Sequence, residues 1–337
     1  MALHKETSRK PVVLEWQRCA VDAGNRVITS ASGDNTISSM PSVHLDLNPN
    51  DDPPKDPIDS AVIHYYSSNP DLKDQRWVTG QLAVEMGGYP TYQGEKADLS
   101  LKLCLAGLKL PKGYRQCQIK KLAVCTPNQL ATEKIVRMKD ALRGVHSFER
   151  NELALTINIY EVECQPETLG AWRYAMAHSL YKWKRPNAIL DLGGKTGIGQ
   201  VYMPSGMAPV DGRVIVSGTY DLAKLIAAED KQLAALDTSA DLGKIMDAIA
   251  DGSYTYATFE QSISFAETFH TCLYKWITSI RDRLKTQWQK YLPQLGEVLI
   301  IGGSAPLANE LVLKTNGRFK VAENHKTINV QGMLIDG

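Results

Sequence analysis

The chain has 337 residues, enough for two domains, and its 38 lysines and arginines against 37 aspartates and glutamates leave a formal net charge of +1. That balance excludes a protein that holds nucleic acid or an anionic membrane through a broad field of its own charge. At 43% hydrophobic residues, the composition is that of a folding globular chain, not a disordered one.

Residues 1–10 are polar and carry no apolar signal segment. No apolar run reaches the roughly 20 residues that a membrane helix needs. A cytoplasmic protein without a membrane segment is expected. Cys19, Cys104, Cys117, Cys125, Cys164 and Cys272 make no CxxC pair, and the histidines have no metal-ligand spacing, so buried, reduced thiols are expected.

In chain order, the first element is a hairpin: a strand over 18–21, a turn at 22–25 and a return strand over 27–29. The stretch 47–59 is crowded with proline and aspartate and predicts a solvated loop. Residues 77–108 read as largely helical, broken at Gly87-Gly88-Tyr89-Pro90; Leu82, Ala83 and Met86 share one face, and Leu99, Leu103 and Ala106 another. A strand over 118–125 leads into Thr126-Pro127 and a helix to Gly144 with Leu130, Ile135, Met138 and Leu142 apolar. Two strands, 154–159 and 160–165, precede a helix over 170–183. A short apolar strand, 188–190, runs into Asp191-Leu192-Gly193-Gly194, with its return strand near 198–202. A strand over 213–216 reaches Ser217-Gly218 and a helix over 221–236. The longest helix is placed at 258–291, with Ile263, Ala266, Phe269, Leu273, Ile277, Ile280 and Leu284 at spacings of three and four. A buried strand, 298–301, stops at Gly302-Gly303-Ser304 before a helix near Pro306. Strand and helix alternate throughout, so the class is α/β.

The two hairpins share one pattern: an apolar strand, aspartate-x-glycine, a short turn and a return strand. Singly, each DxG reads as a turn, because aspartate bonds back to the turn and glycine accepts positive φ. Together they point further. A carboxylate at a hairpin mouth can hold a metal or its waters, and glycines let backbone N–H groups approach phosphate oxygens. Two such hairpins would clamp a nucleotide polyphosphate and its Mg²⁺. Neither GxxxxGK[ST] nor a GxGxxG after the first strand is present. Tyr65, Tyr66, Trp276 and Trp288 read as core aromatics before stacking platforms, and no Ser/His/Asp or Cys/His constellation is evident.

In this order DAGN (22–25), QPET (165–168), DLGGKT (191–196) and IIGGSA (300–305) resemble the actin superfamily. The closest resemblance is to bacterial actin-like ATPases that segregate plasmids, the ParM type. WVTGQLA (77–83), LAVCTPNQL (122–130) and INVQGM (328–333) extend it over nearly the whole chain. The resemblance implies an actin-like fold: two related domains of ribonuclease-H-like topology around a nucleotide cleft. The first domain would take 1–186 with the returning 318–337, and the second 187–317.

It also implies ATP or GTP with Mg²⁺ as cofactors. Asp22, Gly24 and Asn25 match the first phosphate loop, Asp191, Gly193, Gly194 and Thr196 the second, and Gly302, Gly303 and Ser304 the adenosine motif. Gly218 joins the nucleotide contacts, Asp22 and Asp191 are the metal-side acids, and Glu167 and Asp191 are catalytic. Glu167 matches the glutamate that positions the attacking water; alone it reads as an acid at a helix start. Two departures stand out. The first loop of the family runs DxGxxxxK, and the lysine position here is Thr29; the second runs DxGGxTxD, and its last acid is here Ile198. Lys195, between Gly194 and Thr196, is the cation available to replace the missing lysine.

The expected function is a filament-forming ATPase that drives plasmid DNA segregation. A nearly neutral chain would reach DNA through a DNA-bound adaptor protein, not by direct nucleic-acid binding. The alternatives are a non-polymerising ATP-dependent enzyme or chaperone of the sugar kinase or heat-shock ATPase fold, or a bacterial actin with another cargo (cell shape or organelle positioning).

Overall fold

The computed structural model describes residues 12–55, 57–67, 69–91, 99–126, 132–181, 184–259 and 261–336. The chain divides after Pro166 into two compact units. The first contains β1 (Val13–Ala23), β2 (Val27–Ala31), β3 (Ile37–Pro41), β4 (Val43–Asp46), β5 (Ser60–Tyr65), β6 (Arg76–Gly80), α1 (Gln81–Glu85), β7 (Tyr89–Pro90), α2 (Ser100–Gly107), β8 (Gln116–Thr126), α3 (Thr132–Leu142), β9 (Gly144–Arg150) and β10 (Leu153–Pro166). All ten strands join one sheet in the order β3-β2-β1-β8-β10-β9-β5-β6-β4-β7. Strands β1, β8 and β10 run parallel at its centre, and β2 and β3 follow antiparallel on the β1 side.

The two faces of this centre differ. Cys19, Val21, Leu122, Val124 and Val162 are buried in one core with Met138 and Leu142 of α3. By strand alternation and register, Arg18, Asp22, Glu163 and Gln165 fall on the opposite face. Arg18 pairs there with Glu163.

The second unit contains α4 (Leu169–Ala177), β11 (Asn187–Leu192), β12 (Thr196–Tyr202), β13 (Arg213–Ser217), α5 (Thr219–Glu229), α6 (Lys231–Ala234), α7 (Leu242–Asp251), β14 (Thr255–Ala257), β15 (Ser262–Ser264), α8 (Ala266–Gln287), β16 (Val298–Ile301), α9 (Asn309–Lys314), β17 (Phe319–Val321) and α10 (Ile328–Met333). Its main sheet has the order β13-β12-β11-β16-β17, with β11, β16 and β17 parallel. Order and direction repeat β3-β2-β1-β8-β10 of the first unit, so the two units share one topology.

Register places Ile189, Asp191, Ile198, Gln200, Tyr202, Arg213, Ile215, Leu299 and Ile301 on one face of this sheet. Helices α4 and α10 cover part of it: Ala171, Ala175 and Ile328 are buried in one cluster with Ile189, Tyr202, Leu299 and Ile301. The two helices are tied by the Ala171 N–H, which donates to Asn329 Oδ1 (3.1 Å). Helix α8 covers the other face, where Gly199 packs under Leu284 and Trp288.

The α/β class, both hairpins and the described part of the 47–59 loop stand as expected, and several boundaries do not. Residues 77–80, expected to be helical, belong to β6, because the buried Trp77-Val78-Thr79 is held between β5 and β4. Among the described residues the helices expected there are α1 and α2, residues 92–98 lying outside them, and Met86 lies beyond α1, exposed. The two strands expected over 154–165 are one, β10; no turn residue separates Ile159 from Tyr160, and β8 and β9 pair along both sides. Strand β9 was not expected at all.

Helix α4 is shorter than 170–183, and residues 182–183 lie outside the described residues, as does the 127–131 start of α3 with Leu130. The 221–236 helix divides at Asp230, whose Oδ1 accepts from Gln232 N and Leu233 N and so caps α6. The longest helix begins at Ala266 because β14 and β15 take up 255–257 and 262–264, so Ile263 is a strand residue.

Candidate functional site

The second unit gathers most of the residues singled out by sequence. The parallel strands β11 and β16 end at Leu192 and Ile301, and ligands of open α/β sheets bind beyond such carboxyl ends. Asp191 stands one residue before the end of β11, opposite Ile198 on β12 and beside Ile301 on β16. The turn Gly193-Gly194-Lys195 follows, closed by the Gly193 N–H, which donates to Thr196 O (3.2 Å).

The start of α5 holds this turn. Thr219 N–H donates to Gly193 O (3.2 Å) and Tyr220 N–H to Gly194 O (2.8 Å). In a trans peptide the N–H points opposite to the C=O. With both carbonyls directed at α5, the N–H groups of Gly194 and Lys195 therefore point away from it, two consecutive donors of the kind that cradle anions. Gly218 makes the contact possible: a Cβ there would lie 2.5 Å from the Lys195 carbonyl carbon and 2.6 Å from Gly194 O. Trp276 fixes Gly218 from α8, its Nε1–H donating to Gly218 O (3.0 Å).

The Gly302-Gly303-Ser304 turn meets the same place. Gly302 has φ +91°, and a Cβ there would fall 2.4 Å from Asp191 Oδ1 and 2.5 Å from Leu192 O. Only glycine lets the β16 turn come this close to the aspartate. Ser304 N–H donates to Leu192 O (3.0 Å), and its hydroxyl bonds that of Thr219 (3.0 Å). Gly302 N–H donates to His325 O (2.8 Å), and His325 Nδ1 lies 2.8 Å from Gly302 O. Nothing lies within 4 Å of where a Gly303 side chain would begin. Asp191, Gly193, Gly194, Lys195, Gly218, Gly302 and Ser304 thus form one connected group, and Thr196 opens β12 beside them.

Glu167 lies at the start of this unit, paired with Arg213 of β13 (Oε2 to Nη2, 3.6 Å). Thr168 after it is buried at φ +79°, an unusual backbone for a β-branched residue. Its Oγ1 lies 2.9 Å from the Tyr202 hydroxyl, and Trp172 stacks on the Tyr202 ring.

The first unit holds the other hairpin. Asp22 and Ala23 are the last residues of β1, not turn residues, and Asp22 faces Thr29 across the pair. Gly24 packs on the Val27 carbonyl, and the Asn25 carbonyl accepts from Thr91 Oγ1 (3.3 Å). On the same sheet face as Asp22, Gln165 is buried, its Nε2 donating to Glu163 Oε1 (3.0 Å) while Oε1 has no partner among the described residues. A buried, unpaired acceptor fits a site that takes water or ligand.

Arg213, Thr168, Tyr202, Thr219 and His325 do not stand out in the sequence by residue type. Only the strand parity of Arg213 and Tyr202 carried a signal. Trp276, Trp288 and Tyr65 are core residues, as expected, whereas Tyr66 is exposed, its hydroxyl donating to Glu149 Oε2 (2.5 Å). Burial pushes the thiols of Cys117 and Cys272 up to about 12 and about 11, and raises Cys19 as well, so these thiols are not nucleophiles at neutral pH. Among the described residues no group of three or more His, Cys, Asp or Glu could hold a metal, and no helix is long and apolar enough to cross a membrane.

No protein-family model matches the chain, and no curated protein matches it significantly. Solved structures do. An apo ParM of psk41 is 16% identical, with a TM-score of 0.67 over 94% of this chain and 95% of its own. A 15-stranded ParM filament from Clostridium botulinum is 14% identical, with a TM-score of 0.73 over 95% and 98%. The archaeal actin homolog Ta0583, in complex with ADP, is 14% identical, with a TM-score of 0.70 over 94% and 97%. With its repeated sheet topology, the chain has the actin-like fold of the ParM type.

Proposed function

We propose that this chain binds ATP with Mg²⁺, hydrolyses it, and couples the cycle to assembly into filaments that move plasmid DNA. The observation that carries the reading is the connected group in the second unit. One carboxylate, two outward N–H groups and a close glycine turn meet beyond the ends of β11 and β16. The ADP complex of Ta0583 and the ParM filament support it through the shared fold.

In this reading Gly194 and Lys195 offer N–H groups to phosphate oxygens, and Gly302-Gly303 passes beneath the adenosine. Asp22, Gly24 and Asn25 supply a second phosphate hairpin. Asp191, a carboxylate beside two outward N–H groups, would suit a magnesium ion that keeps most of its waters, since Mg²⁺ is ordinarily held by one or two carboxylates plus phosphates. When bound, the ion stabilises negative charge on the phosphates. Glu167 orients a water whose oxygen bonds the γ-phosphorus as the bond to the β–γ bridging oxygen breaks. ADP keeps that electron pair, and the water's protons pass to phosphate and solvent.

A net charge of +1 supports attachment to DNA through a separate basic adaptor. Sedimentation with and without ATP and Mg²⁺ tests the proposal. Pelleting that requires ATP is the expected result; a chain soluble under every condition refutes the filament.

A further inference from the structure

We propose that Arg213 is a positioning residue for Glu167, holding its carboxylate on the sheet face that carries Asp191. The inference rests on the functional reading above, in which Glu167 orients the attacking water.

Two independent restraints meet at Glu167. The first acts on its side chain: Arg213 Nη2 lies 3.6 Å from Oε2, and the two side chains are only 21% and 19% exposed. The second acts on the backbone of the next residue, Thr168. Thr168 keeps its positive φ while its hydroxyl bonds Tyr202, which Trp172 covers at a ring distance of 5.1 Å and 19° between planes. Such a backbone persists only where the surroundings over-determine it.

Both restraints come from one surface. Arg213 opens β13 directly opposite Gln200, and Tyr202 is two residues further along β12 on the same face. Asp191 joins that face through Ile198. A glutamate has three rotatable bonds, and an unrestrained one spreads its carboxylate over many positions. At 3.6 Å, beyond hydrogen-bond distance, the guanidinium acts on the carboxylate as a nearby positive charge that favours positions on its own side. A misplacement of about 1 Å in such a group costs on the order of 100-fold in rate.

The test compares wild type, Arg213→Ala, Arg213→Lys, Glu167→Gln and the double variant Arg213→Ala/Glu167→Gln. Phosphate release is measured at saturating ATP and ATP affinity by calorimetry. Arg213→Ala is expected to lower kcat by about 10- to 100-fold while ATP affinity changes less than about twofold, and Arg213→Lys to recover part of the rate. In the Glu167→Gln background the same change is expected to have no further effect, because its target is already gone. If the alanine variant melts early, Arg213→Met and Arg213→Lys carry the comparison. Wild-type turnover by Arg213→Ala, or an equal loss in both backgrounds, overturns this assignment alone. Absence of any turnover by the wild-type chain overturns the functional reading on which it rests.

Discussion

Gly302→Ala is a demanding substitution at the candidate site, and its cost follows from the geometry. Glycine 302 has φ +91°, where an L side chain is strained by about 1–2 kcal/mol. The new Cβ would also fall 2.4 Å from Asp191 Oδ1, 2.5 Å from Leu192 O and 2.9 Å from Leu192 C. Two of these atoms are backbone of β11 and cannot swing away, so relieving the overlap means moving a strand end, a further cost of about 1–3 kcal/mol. The sum is about 2–5 kcal/mol. At roughly 2–4 °C per kcal/mol for a unit of this size, the melting temperature should fall by at least about 4 °C. Gly303→Ala is the internal control: nothing lies within 4 Å of its Cβ position and its φ is ordinary, so stability should change by less than about 0.5 kcal/mol. Thermal melts read by circular dichroism compare the two. A Gly302→Ala melt indistinguishable from wild type refutes the close packing of the β16 turn on Asp191. If Gly303 borders bound nucleotide, Gly303→Ala should weaken ATP binding despite its neutral stability, and unchanged affinity would count against that placement.

Asp191→Ala should weaken Mg²⁺-dependent nucleotide binding by about tenfold or more, since it removes the charge beside the proposed metal; unchanged affinity in calorimetry means the site is elsewhere. Glu167→Ala should bind ATP and polymerise normally but release phosphate on the order of 100-fold more slowly, giving persistent filaments; a wild-type rate would make Glu167 a structural acid only. Lys195→Ala should lose ATP affinity and recover it when combined with Thr29→Lys; normal binding and hydrolysis by the single variant refutes the relocated charge. Burial holds the His146 imidazole below its ordinary pKa. Its Nε2–H donates to Leu142 O, which can only accept, and its Nδ1 accepts from the Tyr65 hydroxyl (2.9 Å each), so the native ring is neutral. The unfolded chain therefore takes up the proton first, and stability falls as pH drops below about 6.5 towards the lowered native value. His146→Gln should flatten that part of the urea-midpoint profile, and an unaltered slope refutes the assignment.

What could be read from the sequence was local. Each hairpin is announced by an apolar strand that meets DxG, and the chemistry of the turn repeats at Asp22 and Asp191. The apolar Ile300-Ile301 before Gly302-Gly303 marks a buried strand ending in a tight approach, and the turn lies there. Errors arose where tertiary pairing decides. Trp77-Val78-Thr79 is as compatible with a helix face as with a strand until β5 and β4 flank it. The apolar spacing through Ile263 runs on into α8, yet the short β14–β15 pair claims that residue. The site itself divides in the same way. Glycines and aspartates stand out by type, whereas Arg213, Tyr202 and Thr219 are ordinary residues until register brings them to one face. Trp276 reads as core and is core; only its indole N–H, bonded to Gly218 O, ties it to the site.

The repeated topology joins the two departures from the family pattern. In each unit the aspartate near the end of the first strand faces one residue of the return strand: Asp22 faces Thr29, and Asp191 faces Ile198. These are the positions where the family pattern carries its lysine and its second acid. One charge of each sign is absent, so the formal charge summed over the two hairpins is what it would be with both present. The local consequence differs. An acid at 198 would set two carboxylates about 5 Å apart on directly opposed residues, a pairing that repels unless a cation sits between them. Isoleucine removes that repulsion, and with Ile215 beside it on β13 lays apolar surface along the Asp191 row. With Thr29 uncharged, Lys195 is the cation built into the second turn itself, and its substitution separates a relocated phosphate charge from a solvated turn residue.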